Sequence, residues 1–227
     1  MEIRKVGDKS VGRPILEVAD LSPSELALAG RFSFDECQAE DIDQTGAVGR
    51  GTLHHVSISR STLADTRLSD LELMDVALRN VSVANASWEN VTARRVEFFN
   101  SQAVGFQLGL LKAEDLYFED CRLDYARLEV ENRRGIIVFH RCTFTEAVLG
   151  GDLSGIVFSE CEFSGAEFRA RRAAGCDLTG SRLVGSSGLM TLAGALITDD
   201  QAMALSAQLA TEVGLVIAEA AGSSAGN

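Results

Sequence analysis

Along most of the chain the apolar residues keep a beat of five. Every fifth position from Leu53 gives Leu53, Ile58, Leu63, Leu68, Leu73, Leu78, Val83, Trp88, Ala93, Phe98, Ala103, Leu108, Ala113, Phe118, Leu123 and Leu128, with no polar or charged side chain among them. The residue two places earlier is usually small or apolar, as at Val56, Ser61, Thr66, Leu71 and Val76. The beat slips by one residue after Leu128 and resumes at Phe139, Phe144 and Leu149. It then slips back and runs from Leu153 through Phe158, Phe163, Phe168, Ala173 and Leu178 to Leu183. A period of five matches neither the helical 3.6 nor the strand period of 2. It fits a solenoid in which each five-residue unit makes one side of a coil. Residue i and residue i−2 point inward, and i−1, i+1 and i+2 point out. Four units close a coil, and coils stack at the strand spacing of roughly 4.8 Å.

The flanks read differently. Residues 1–31 form a lead-in and N-terminal cap, with a strand expected from Arg13 to Val18. A short helix is expected to open at Ser22-Pro23-Ser24-Glu25, with Ser22 capping, Pro23 at the first helical position and Glu25 closing a capping box. Gly30 would end it. From Phe32 a degenerate set of fives adds a coil, with Phe32, Cys37, Ile42 and Ala47 at i−2 and Phe34, Ala39, Gln44 and Gly49 at i. The solenoid is thus expected over 32–185, with 31 units or just under eight coils. Residues 186–217 read as a C-terminal cap. Thr198-Asp-Asp-Gln201 is a second capping box, Leu205, Leu209 and Val213 share one helix face, Gly214 stops the helix, and Leu215-Val216-Ile217 reads as a short strand. An uncovered apolar strand is a pairing template. Leu205, Leu209, Val213, Leu215, Val216 and Ile217 are therefore expected to form a homodimer interface as well as a cap. Residues 218–227 read as a disordered tail.

Units such as Ser61-Thr-Leu-Ala-Asp65, Cys121-Arg-Leu-Asp-Tyr125, Ala126-Arg-Leu-Glu-Val130, Cys161-Glu-Phe-Ser-Gly165 and Ser181-Arg-Leu-Val-Gly185 carry the small, variable, Leu/Phe pattern of a known repeat. In them the sequence resembles the pentapeptide-repeat family. The resemblance implies an all-β solenoid, a right-handed quadrilateral β-helix. In size and layout the chain is similar to members that bind type II topoisomerases. Those members imitate duplex DNA and protect DNA gyrase from quinolones or natural gyrase poisons. What the resemblance implies is such a DNA mimic. A structural or adaptor solenoid for a different protein partner is the other reading, since a fold does not fix a function.

Charge changes the picture in one respect. The net charge is −12, shared equally among residues 1–51, 52–185 and 186–227. An acidic protein suits a basic protein partner and avoids nucleic acid and anionic membranes. Within the solenoid the signs are mixed, so an acidic rod requires the acids to segregate by side. Asp65, Asp70, Asp75, Asp120, Asp124, Glu146 and Glu162 are the candidates for an acidic partner-binding surface. Asp at the corners is equally suited to turn geometry. His54, His55, Arg94, Arg95, Arg133, Arg134, Arg171 and Arg172 fall largely on one side, leaving the opposite side, with Asp65, Asp124, Glu146 and Glu162, more acidic. The irregular stretch with Glu131, Asn132, Arg133 and Arg134 is either a displayed loop or a bulged corner. Trp88 is too large for a narrow lumen and must swell the coil or turn outward.

Other chemistry is missing. The five cysteines lack paired metal-ligand spacing, and Cys121, Cys142 and Cys161 are expected to stack as small buried thiols. No nucleophile triad, His-Glu-x-x-His or phosphate-cradling glycine loop is present. The expectation is no enzyme, no cofactor and no metal. The N-terminal residues lack the apolar core of a signal peptide, and no apolar run approaches a membrane span, so a cytoplasmic protein is expected.

Overall fold

The structure, a computed structural model, describes residues 2–218, so the tail expected to be disordered lies, apart from Ala218, outside the described residues. The strands are β1 (Ile3–Val6), β2 (Lys9–Gly12), β3 (Ser22–Pro23), β4 (Gly30–Glu40), β5 (Val48–Ser59), β6 (Arg67–Arg79), β7 (Ser87–Phe99), β8 (Gln107–Glu119), β9 (Arg127–Val130), β10 (Ile137–His140), β11 (Val148–Asp152), β12 (Val157–Ser164), β13 (Glu167–Arg172) and β14 (Asp177–Val184). From β3 onward all pairing is parallel, and the strands stack into a four-sided β-solenoid of about eight coils. Leu53 pairs with Leu73, Leu73 with Ala93 and Ala93 with Ala113, a step of twenty residues. We number the four sides of a coil by these inward residues: the first is centred on Leu53, the second on Ile58, the third on Leu63 and the fourth on Leu68.

The inward positions make one continuous core. Phe98, Phe118, Phe139 and Phe158 stack on the second side with ring centroids 4.6, 4.7 and 5.2 Å apart. Phe144 and Phe163 stack at 4.8 Å on the third. Trp88 turns inward and is buried. Its indole N–H donates to Thr66 Oγ1 at 3.0 Å, and its ring meets Phe106 edge-on at 5.1 Å. The buried indole therefore has the partner it needs. At the corner between the second and third sides, Ser61, Ser101, Cys121, Cys142 and Cys161 repeat one role. Each donates to the carbonyl two residues earlier, from 2.6 Å for Ser61 to 3.5 Å for Cys161. The three thiols stand in successive coils as expected, and burial pushes the Cys142 thiol well up.

Most corners carry a residue in the left-handed region. Asp65, Asp70, Asp75, Asn80, Asn85 and Asn90 follow one another at five-residue intervals with φ between 48° and 57°. Asn and Asp accept this conformation better than other non-glycine residues. The slips in the beat are absorbed locally. Ala113 faces Arg133 but Leu116 faces Ile137, so the extra residue is taken up between Arg133 and Ile137 as a bulged corner. The later step is one short, Phe139 to Phe158. A further slip lies at Gly51, where a Cβ would run into the carbonyl oxygen of Phe32.

The ends depart from the sequence-based expectation. No helix forms at Ser22. Ser22 and Pro23 pair with Cys37 and Gln38, and Leu26 and Leu28 are buried. Leu26-Ala-Leu28 is the same inward pair, two residues apart, as in the repeat. Burying both leucines, roughly 1.5–3 kcal/mol each, outweighs a capping signature of about 1 kcal/mol. The strand expected over Arg13 to Val18 is also absent, and a 3₁₀ turn occupies Val18–Asp20. Instead β1 and β2 form an antiparallel hairpin, turned at Gly7 with φ 58°, that lies on the outside of the second side. At the other end the helix α1, Asp199–Glu212, forms with its full capping box. Gln201 also donates from Nε2 to the carbonyls of Leu178 and Ser181, at 2.7 and 2.6 Å, tying the helix to the last coil. Residues 215–217 form no strand in the single chain.

Candidate partner-binding surface

The register decides which outward side chains share a side. Five residues make a side and four sides a coil, with i and i−2 inward and a left-handed residue at the corner. The chain is a β-solenoid of five-residue repeats. Its outward rows are therefore ladders with one residue per coil. On the third side the bridges run Asp43, Thr62, Ser82, Gln102, Arg122, Thr143 and Glu162.

The repeat distributes the seven acidic candidates over more than one side. Asp65, Asp124, Glu146 and Glu162 belong to the third side, and Asp120 to its edge with the second. Asp70 stands at the corner between the fourth and first sides and accepts from Asn90 Nδ2 at 3.1 Å. Asp75 is not a surface group at all. It is fully buried, takes both Nε and Nη2 of Arg95 at 2.6 and 2.5 Å, and accepts the Ile15 N–H at 2.8 Å. The lead-in crosses this corner and closes it over. Asp124 is also buried, held by Arg122 at 2.5 Å and by the Thr145 N–H at 2.9 Å. Asp120 is engaged by Arg141 at 2.7 Å. A phosphate mimic must be free, so Asp75 and Asp124 are structural carboxylates.

Subtracting ion pairs shows where charge is left over. On the third side Arg122 is taken by Asp124, and Arg182 faces Glu162 at 3.8 Å. On its edge with the second side, Arg60 is shared by Glu40 and Asp41 at 2.5 and 3.0 Å, and Arg141 by Glu119 and Asp120. Every arginine of this region is thus occupied. Exposed Asp43, Asp65, Glu146 and Glu160 have no ion-pair partner among the described residues. Asp43 and Glu160 lie outside the seven candidates, although the register alone places them, Asp43 at i−1 and Glu160 at i+2. The supposed basic side is largely neutralised. Arg94 pairs with Glu114 at 3.3 Å, Arg172 with Asp152 at 2.9 Å, His54 with Glu72 at 3.6 Å, and Arg95 is buried. Arg171 donates to the Val130 carbonyl at 3.3 Å. Exposed arginines without a carboxylate partner among the described residues are Arg31, Arg50, Arg67 and Arg127 on the fourth side and Arg134 and Arg171 on the first. Of the irregular stretch, Glu131, Asn132 and Arg134 are exposed, while Arg133 folds onto the Gly135 carbonyl.

The C-terminal residues divide in two. Leu205 is buried in its own chain and half-buried Leu209 packs beside it, so both serve the cap. Val213, Leu215, Val216 and Ile217 are exposed, Val216 by 94%.

The acid pairs carry a pH prediction. Arg141 holds the Asp120 carboxyl below the usual range. Burial pushes Asp124 up, but Arg122 and the Thr145 N–H outweigh it and hold it below that range as well. A carboxyl depressed in the folded state contributes stability above its unfolded pKa, about 3.9, and loses it as pH falls through the folded value. Thermal melting should therefore be flat from pH 7 to 5 and fall below about pH 4. Asp124→Asn should start lower and lose less on acidification.

No family model and no curated protein matches this sequence. Solved structures similar to it include full-length QnrB1, a plasmid-mediated fluoroquinolone resistance protein, at 18% identity over 83% of this chain and 99% of that one, with a TM-score of 0.41. A trypsin-treated QnrB1 variant gives 17% identity over 85% and 98%, with a TM-score of 0.39. HetL, a pentapeptide repeat protein involved in heterocyst differentiation regulation in the cyanobacterium Nostoc sp. strain PCC 7120, gives 15% over 74% and 89%, with a TM-score of 0.41. No helix among the described residues is long and apolar enough to cross a membrane.

Proposed function

We propose that the protein is a DNA-mimicking rod that docks its third side in the basic DNA-binding groove of a type II topoisomerase, DNA gyrase, and protects it from poisons such as quinolones or natural inhibitors. One observation carries this reading. Every arginine on the third side and its edge with the second is occupied by carboxylates, and Asp43, Asp65, Glu146 and Glu160 are left over as exposed, unpaired acids. Coils repeat every roughly 4.8 Å, whereas duplex DNA carries a charge per roughly 1.7 Å of axis. The imitation is one of shape and field rather than phosphate for phosphate. The choice of topoisomerase as partner rests on the family resemblance. The protein acts in the cytoplasm by binding, without catalysis, and two copies join through exposed Val213, Leu215, Val216 and Ile217 to lengthen the rod.

A specific observation favours a second reading. Thr62, Ser82 and Gln102 interrupt the acidic row over three coils, which suits an adaptor solenoid displaying hydrogen-bonding ladders to another protein. The two readings separate on charge. Asp65→Asn, Glu146→Gln and Glu160→Gln together remove three charges while keeping residues of the same shape at these left-handed corners. The mimic reading expects gyrase affinity to fall about tenfold at low salt, with slower association. Unchanged affinity in a titration against purified gyrase would favour the adaptor.

A further inference from the structure

The second side holds a closed pocket that the topoisomerase reading does not use. Its outward residues in neighbouring coils are Glu97, Phe99, Tyr117 and Glu119, and all are arranged around one cation, Arg4 of the N-terminal hairpin. The Arg4 guanidinium lies over the Tyr117 ring at 4.0 Å and the Phe99 ring at 4.7 Å. It stands 3.2 Å from Glu97 Oε1 and 3.9 Å from Glu119 Oε2. Arg79 covers the Phe99 ring too, at 4.8 Å. Two aromatic faces and two carboxylates form the chemistry that recognises a planar, delocalised cation. Glu97 is 2% exposed although it points out of the coil, because the hairpin covers it.

The fit of the chain's own arginine is incomplete. Arg4 Nη1 lies at ion-pair distance from Glu97 without hydrogen-bond alignment, so this buried nitrogen has no hydrogen-bonded partner. The hairpin also joins no strand of the solenoid and forms a two-stranded sheet of its own. An isolated two-stranded hairpin is marginally stable in water. Its place therefore depends on Arg4, on Arg13 reaching Glu97 at 3.4 Å, and on Val11 packing against Tyr117, Val138 and Val157. It can leave without breaking a coil.

We propose that this pocket is a receptor for an arginine carried on an extended or hairpin segment of a partner protein, and that Arg4 is a built-in stand-in that keeps it shut. The partner segment displaces the hairpin, places its guanidinium between Phe99 and Tyr117, and covers the apolar stripe that the hairpin leaves.

The probe is a synthetic, fluorophore-labelled peptide of residues 2–14, titrated by anisotropy into the full-length wild type and the full-length Arg4→Ala variant. Circular dichroism first establishes that the variant keeps its coils. The expected result is saturable binding to Arg4→Ala at least tenfold tighter than to wild type. That gain should disappear when the peptide carries alanine at its Arg4 position, and when Glu97→Gln is added to the variant. Equal binding of the two peptides, or no gain over wild type, would overturn the proposal. If Arg4→Ala fails to fold, Arg13→Ala loosens the hairpin while leaving the pocket intact. Peptide affinity above wild type is then expected, and affinity equal to wild type counts against the proposal.

Discussion

Replacing Phe139 by alanine is expected to cost about 3–5 kcal/mol, the range for removing a fully buried aromatic ring from a core. Phe139 is fully buried, stacked on Phe118 at 4.7 Å and Phe158 at 5.2 Å, with Phe144 edge-on at 5.3 Å. A solenoid contacts itself only through neighbouring coils. The cavity therefore weakens the interface between the coils before and after it, and cannot be repacked from a distance. Two readouts check this. Urea unfolding should show a lower midpoint, and hydrogen exchange should accelerate in the coils C-terminal to Phe139 before those around Leu73. A loss under 1 kcal/mol, or uniform acceleration, would contradict the stacked-core account.

Arg95→Ala is expected to cost a similar amount, about 3–5 kcal/mol, because it strands a buried carboxylate. Asp75 has no exposure to recover water, and Arg95 supplies both of its charge-assisted hydrogen bonds. The double substitution Asp75→Asn with Arg95→Leu should cost much less than Arg95→Ala alone, since no charge is then left unpaired. Asp75 also holds the Ile15 N–H. The single variant should therefore raise exchange at Ile15 and loosen the path of the lead-in, which a change confined to the coil would not do. Thermal unfolding of both variants, with exchange at Ile15, separates a buried ion pair from a surface one, whose loss costs only ~0–1 kcal/mol.

The contrast between Asp65 and Asp75 shows where sequence reading stops. Both sit at i+2 of an ordinary unit, and both take the left-handed corner conformation, φ 57° and 56°. Nothing within either unit distinguishes them. Asp75 is buried because the lead-in, sixty residues away in sequence, crosses its corner, a tertiary event with no periodic signature. The solenoid was legible because its period repeats more than twenty times and each repeat tests the same inward pattern. Even the two slips could be located, since a register error turns inward residues out. The hairpin escaped notice because Ile3-Arg-Lys-Val6 is short and half charged, and its arginine is buried by aromatic rings rather than by the core. The expected helix at Ser22 failed for the opposite reason. Its capping residues are real local signals, but Leu26 and Leu28 two places apart belong to the repeat. Leu205 and Leu209 are expected to serve both a cap and a dimer, and the open end of the last coil takes them into the cap. Of the acidic candidates, the register alone puts Asp65, Asp124, Glu146 and Glu162 on one side, but does not tell that Asp124 is buried while Asp65 and Glu146 stay free. Exposure depends on which arginines reach which carboxylates between coils.

The central claim is that the third side stands in for DNA. It is tested most directly by measuring the binding of the purified protein to DNA gyrase at low and high salt, with duplex DNA as competitor. The account predicts binding that weakens as salt rises and that duplex DNA displaces, with displacement shifted in favour of DNA by the triple Asp65, Glu146 and Glu160 neutralisation. Binding that is indifferent to salt and to DNA, or no binding at micromolar protein, would contradict it and leave the rod as an adaptor for another protein.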